Sequence, residues 1–337
     1  MIKQLLSPLL LLIVLAANSQ TVRNKSYSSL SRYVGKYETN RLVIQVTIHQ
    51  GRLVLVVPGA PLQDLVWLEG DKFRSDAFDD AVFIFSEQDG RITGLISQGG
   101  GNSVELQKVS DATDKLDATD SLLTLQTSTN HFTFLYGATD SLIIKQLAEA
   151  LENDYHKILT DFGLNKLPRT MVRVFPDKQS FHRGINFPFA PDELLATAFG
   201  KDDFRMTSPN SVSAEDSMLL LKMITHEFTH CVHLNIVYAP NNPRWLWESV
   251  ANFEAGWFVN PAEIEAVRNK AIPPLSMLNG LEYQLGYVII EAMKELWGFE
   301  KVVQLIRERG DVQAVFQLRP QDFEDKVYAH IYRKYLK

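Results

Sequence analysis

Residues 226–233 read HEFTHCVH, with two histidines four apart and a glutamate directly after the first. On a helix, residues four apart lie one turn apart on the same face, so His226 and His230 can point two imidazoles at one ion. Zinc suits neutral imidazole ligands and stays divalent, having no redox chemistry. Glu227 lies beside that face, placed to take a proton from a water that the ion acidifies. His233 falls near it too, but three ligands from one straight helix do not readily surround an ion, and it reads as packing.

A catalytic zinc needs a third protein ligand and one position left open. In NNPRWLWESVANFEAGWF, Asn242 and Pro243 have the character of an N-cap and first helical residue, which puts Glu248 on the second turn. A helix returning antiparallel after the short loop YAPNN would bring the Glu248 carboxylate to the histidines. Trp245 and Trp247 then build core and cleft wall.

The elements that must hold these helices can be traced backwards along the chain. Ser213 is placed to cap the first helix, and MLLLKMI carries its apolar run into His226. Upstream, HFTFLYG reads as a strand, followed by an amphipathic helix from Asp140 to Phe162 that Gly163 ends. Its apolar face includes Ile143, Leu147, Leu151, Tyr155 and Ile158. MVRVF reads as a second strand, TAF and FRMTS as short strand pieces, and the chain beyond Asp216 is mostly helical. Strands followed by helices predict an α+β domain over 131–337.

The preceding part has a different period. LVIQVTIH, LVLVVPG, DLVWLEGDKF and AVFIFSEQDGRITGLISQ alternate β-rich runs with turns, and Asp89-Gly90 is a hairpin cue. Residues 29–109 are therefore expected to form a small all-β barrel or sandwich with no catalytic cluster, joined by a polar linker at 110–130. Its motifs YVGKYE, GRLVLVVPG and DGRITGLISQGG resemble the β domains appended to secreted serine hydrolases. Its partner is not legible in the sequence.

At the N-terminus Lys3 precedes an apolar run from Leu5 to Ala16, then small residues to Ser19. This reads as a signal peptide over 1–19, giving an exported protein, secreted or periplasmic, without a membrane span after cleavage. With 34 basic against 40 acidic residues and no basic run, nucleic acid is not an expected partner. Cys231 is the only cysteine, so no intramolecular disulfide can form, and its apolar helical setting reads as a buried small residue.

HEFTH followed by WLWESVANFEAG resembles the thermolysin-like, or gluzincin, branch of the zinc metallopeptidases. HFTFLYG through MVRVF and YQLGYVIIEAMKELWGFEKVVQLI extend the resemblance to residues 130–335. It implies a zincin-like catalytic domain, zinc held by His226, His230 and Glu248, Glu227 as general base, and peptide or protein substrates. It also implies a tyrosine donor to the tetrahedral oxyanion, for which Tyr283 and Tyr287 are the candidates. The sequence departs from the pattern in three ways. Seventeen residues separate His230 from Glu248, fewer than in most members; Ser249 stands where glycine is usual. Asn252 stands one turn after Glu248, where thermolysin has a carboxylate orienting a zinc histidine. In such enzymes substrate lies along the strand before the zinc helix, here within 196–209. That stretch lacks the Gly-x-Met-Glu-Asn motif of aminopeptidases, so endopeptidase action is expected; an aminopeptidase would have to grip the amine with Asp202, Asp203 or another acid. The alternatives are an aminopeptidase, or a zinc-containing binding protein that does no chemistry.

Overall fold

Short strands with alternating burial and two-residue turns close on themselves in the first part of the chain. The computed structural model describes residues 30–336 apart from 41, 76–80, 100–101, 115, 117–118 and 241. The expected signal segment lies outside these residues. Eight strands run β1 (Gly35–Glu38), β2 (Val43–His49), β3 (Arg52–Val56), β4 (Gln63–Glu69), β5 (Lys72–Ser75), β6 (Val82–Gln88), β7 (Arg91–Gly99) and β8 (Asn102–Ser110). Each pairs antiparallel with the next, and β1 pairs with β8, giving a closed barrel and not a sandwich. Closure removes both sheet edges, which in an open sheet would present unpaired backbone. Turns with left-handed residues allow this tight meander: Asp89 and Gly90 have φ of 52° and 79°, as a two-residue hairpin turn demands. Tyr33, Tyr37, Phe73 and Phe85 fill the barrel interior, Phe73 and Phe85 meeting edge-on at 5.5 Å between centroids.

The second part is an α+β region. Its sheet has the order β12-β13-β11-β10-β9, from β9 (Leu125–Ser128), β10 (Phe132–Tyr136), β11 (Thr170–Phe175), β12 (Ala196–Ala198) and β13 (Asp203–Thr207). The three middle strands are parallel, and both edges are antiparallel. β9 falls inside the stretch expected to be linker. Its LQTS side chains are all exposed, so no apolar alternation betrays it. Earlier in that stretch, Asp114 is fastened to the barrel through Gln45, with Asp114 N donating to Gln45 Oε1 at 2.6 Å.

Helices α1 (Ser141–Asp161), α2 (Lys178–Gly184), α3 (Ala214–Ile236), α4 (Arg244–Glu254), α5 (Glu265–Arg268), α6 (Glu282–Trp297), α7 (Phe299–Arg307), α8 (Val312–Phe316) and α9 (Pro320–Tyr335) complete the chain. Among the described residues no helix is long and apolar enough to cross a membrane. One apolar core joins β10, β11, β13, α1, α3, α4 and α6. Phe228 on α3 meets Phe132 of β10 and Tyr155 of α1, so α3 is wedged between sheet and helix layer. Thr225 Oγ1 donates to Asp154 Oδ2 at 2.8 Å and fixes the same helix against α1. Gly286 of α6 meets Ser249 of α4 so closely that a Cβ there would lie 2.7 Å from Ser249 Cα. That crossing needs two small residues, which accounts for Ser249 and Gly286 on the apposed faces.

Candidate metal centre

Helix α3 starts where a side chain can satisfy its open amides: Ser213 Oγ accepts from Asp216 N at 3.1 Å. Four turns later the helix carries His226, Glu227, His230 and His233, all buried. Helix α4 begins at Arg244, one residue later than the sequence suggests, with Pro243 as its N-cap residue. The shift leaves Glu248 facing α3.

The three expected donors converge. His226 Nε2 and His230 Nε2 stand 3.0 Å apart. Glu248 Oε2 lies 3.2 Å from the first and 3.8 Å from the second, out of line for a good hydrogen bond to either. Among the described residues His226, His230 and Glu248 are the group of ligand-type side chains able to hold a metal ion, their atoms all within 4.8 Å of one another. Buried polar atoms ordinarily find partners. Here the two Nε2 atoms meet each other at hydrogen-bond distance while Glu248 Oε2, beside them, finds no partner, and the shared space fits a divalent cation.

The electrostatics point the same way. Burial pushes His230 down to about 4, helped by the neighbouring His226, so it is neutral as a ligand must be. Burial also opposes a charge on His226, but Glu248 and Glu227 outweigh it and raise that imidazole. Burial would raise Glu248, yet the two adjacent histidines hold its carboxyl well below the usual range. A carboxylate facing two imidazoles thus draws positive charge into a buried site. Two imidazoles and a carboxylate suit zinc and other divalent first-row metals alike.

Glu227 stands apart from this trio. Burial pushes its carboxyl up to about 7; His226 pulls it down, Glu248 pushes it further up, and a backbone hydrogen bond with Ala198 lowers it. Ala198 belongs to β12, the outer strand of the sheet. The carboxyl therefore sits between the donor cluster and an open strand edge.

The surrounding rings are set by α4 and the loop after it. Trp247 stacks flat on His230, 4.1 Å between centroids at 5°, and touches His233 at 4.8 Å. His233 is pressed down to about 3 by burial and His230 and lies outside the donor cluster. Trp245 is buried in the main core, and Trp257 approaches His226 at 6.1 Å. Asn252 helps raise His226, and its Nδ2 donates to Glu282 O at 3.1 Å. The two candidate tyrosines separate. Tyr283 interacts with Glu248 and is 40% exposed, its hydroxyl raised first by burial and then by that carboxylate. Tyr287 packs against Phe253 and Phe258 at 5.2 and 5.4 Å. Cys231 is buried with its thiol pushed far up by burial, so it is inert. Asp203 is bound to Arg173 of β11 and to Arg205 on its own strand, β13.

Sequence reasoning missed Arg244, Glu282, Trp257 and Gly286. Arg244 had a usable signal, since it precedes Glu248 by four residues and shares its face. The others are brought in by crossings between elements distant in sequence. No protein-family model matches the chain, and a search of curated proteins finds no significant match.

Proposed function

We infer that the protein is an exported zinc-dependent peptidase of the thermolysin-like type, acting on peptide bonds within chains. The observation that carries this reading is the buried convergence of His226, His230 and Glu248 beside a separate carboxyl, Glu227, next to the open edge of β12. A site that only held a metal for stability would need no buried base beside it.

The three donors would hold the ion, which when bound supplies a Lewis acid that polarises a carbonyl and makes water easier to deprotonate. Glu227 takes the proton of the attacking water and passes it to the leaving amine. Its desolvated surroundings raise its basicity towards that task. Tyr283 keeps its hydroxyl proton and can donate to the carbonyl oxygen as charge builds there. The unpaired edge of β12 offers backbone hydrogen bonds to an extended peptide, which gives affinity without requiring one sequence.

The test is metal analysis with hydrolysis of an unfolded protein substrate, comparing wild type and Glu227→Gln. Wild type should carry one zinc and cut internally; the variant should keep zinc and lose roughly 10²–10⁴-fold in rate. Full activity in the variant removes Glu227 from its role, and zinc without hydrolysis in wild type favours a binding protein. Matched peptides with free and acetylated N-termini decide the cleavage mode. Internal cutting of both is expected, whereas trimming only the free one would make it an aminopeptidase.

A further inference from the structure

A cavity lies at the start of α4, one helical turn before Glu248. It encloses about 500 Å³ and is lined by Pro243, Arg244, Trp245, Leu275, Ser276, Leu278, Asn279, Gly280 and Glu282; its walls are mostly apolar, and Arg244 is its cation.

The guanidinium is anchored at one end. Arg244 Nε donates to Glu282 Oε1 at 2.6 Å, and Glu282 Oε2 accepts from Gly280 N at 2.7 Å. Both carboxylate oxygens of Glu282 are thereby engaged, and its side chain is only 2% exposed. Tyr283, which interacts with Glu248, lies under the guanidinium, 5.9 Å from ring centre to Cζ. Arg244 itself remains 58% exposed. One of its five donors is used, and among the described residues the Nη1 and Nη2 groups have no partner. A guanidinium held at Nε with a free fork is preorganised for a carboxylate.

We propose that Arg244 and this cavity form a substrate subsite for a carboxylate, carried either at a peptide's C-terminus or on an acidic side chain. The proposal rests on the peptidase reading and names the substrate class for it. Arg244 lies one helical turn before Glu248, about 6 Å along the axis. An extended peptide advances about 3.3–3.6 Å per residue, so the carboxylate sits about two residues from the bond to be cut. A purely structural Arg244 would tie α4 to α6 and leave charged and neutral peptides indistinguishable.

The test measures binding directly by tryptophan fluorescence, since Trp245 lines the cavity. Full-length protein, zinc-loaded and chelator-treated, is titrated with acetyl-tetra-alanine, its C-terminal amide, and amidated peptides bearing one internal Glu or Gln. A carboxylate peptide should bind about tenfold tighter than its neutral partner, the lower range for a charge-assisted hydrogen bond. The margin should shrink with salt and vanish in Arg244→Gln, while Arg244→Lys keeps part of it. Preference for acetyl-tetra-alanine assigns the C-terminal carboxylate, and preference for internal Glu assigns a side chain. No margin in wild type, or an intact margin in Arg244→Gln, overturns the subsite. Hydrolysis is read separately: selective binding without cleavage leaves the subsite standing and removes the peptidase reading, and cleavage without selectivity does the reverse.

Discussion

The barrel and the paired helices α3 and α4 solve burial in opposite ways. In the barrel every strand is paired, aromatic rings fill the interior, and no described buried side chain there leaves a polar atom unpaired. At the helix pair, His230 Nδ1, Glu248 Oε2 and Ser249 Oγ are buried without a hydrogen-bond partner. Leaving such groups unmet costs about 1–3 kcal/mol each. The barrel's described buried groups are thus all paired, whereas the helix pair leaves Glu248 Oε2 unpaired beside two imidazole nitrogens, where a cation would satisfy it. The contrast sets a region closed by pairing and packing against one where three ligand-type side chains converge.

The strongest way to break this contrast is Glu248→Ala. It should lower zinc affinity by more than the roughly 10–100-fold that follows loss of an outer hydrogen-bond partner. Zinc at 1,000 times its dissociation constant should stabilise wild type by about 4 kcal/mol, and the variant should lose that gain. Calorimetry with and without chelator checks both, and unchanged zinc stabilisation would remove Glu248 from the site. Phe85→Ala attacks the other region. Phe85 is 3% exposed within the aromatic barrel core, so the change should cost about 3–5 kcal/mol while zinc affinity stays as it was. Denaturant unfolding and zinc titration of the same sample read the two effects separately.

Acid should distinguish the regions further. His233 is buried, lies outside the donor cluster, and is lowered from 6.5 to about 3. The unfolded chain then binds a proton before the native one does as pH falls, so this stabilisation is full above about 6.5 and drains away below it. Between pH 6.5 and 4 the loss is about 3 kcal/mol. His233→Gln should flatten that part of the stability profile, and an unchanged slope would assign the acid sensitivity elsewhere. The smallest expected effect is that of Gly286→Ala. Its new methyl would meet Ser249 Cα at 2.7 Å, costing about 1–3 kcal/mol and moving Glu248 relative to the histidines. Weaker zinc binding should accompany the lost stability; unaltered affinity would mean α4 holds Glu248 without help from α6.

The linear chain determined a good deal. Spacing alone put His226, Glu227 and His230 on one helix, and the WLWES stretch put Glu248 on the next, because helical periodicity is local. The Asp89-Gly90 turn and the alternating strands marked an all-β first part for the same reason. Whether those strands closed as a barrel or stacked as a sandwich was not legible, since closure depends on β1 meeting β8 some seventy residues away. β9 was missed because an exposed strand pairing along one edge leaves no apolar period. Tyr283 and Tyr287 looked alike at helical spacing, and only the packing of α6 turned one towards Glu248 and the other into Phe253 and Phe258. The Arg244–Glu282 anchor and the Gly286–Ser249 crossing likewise arose from the meeting of α4 and α6. Local periodicity is written in neighbouring residues, while a site's walls are set by contacts between residues that the chain keeps far apart.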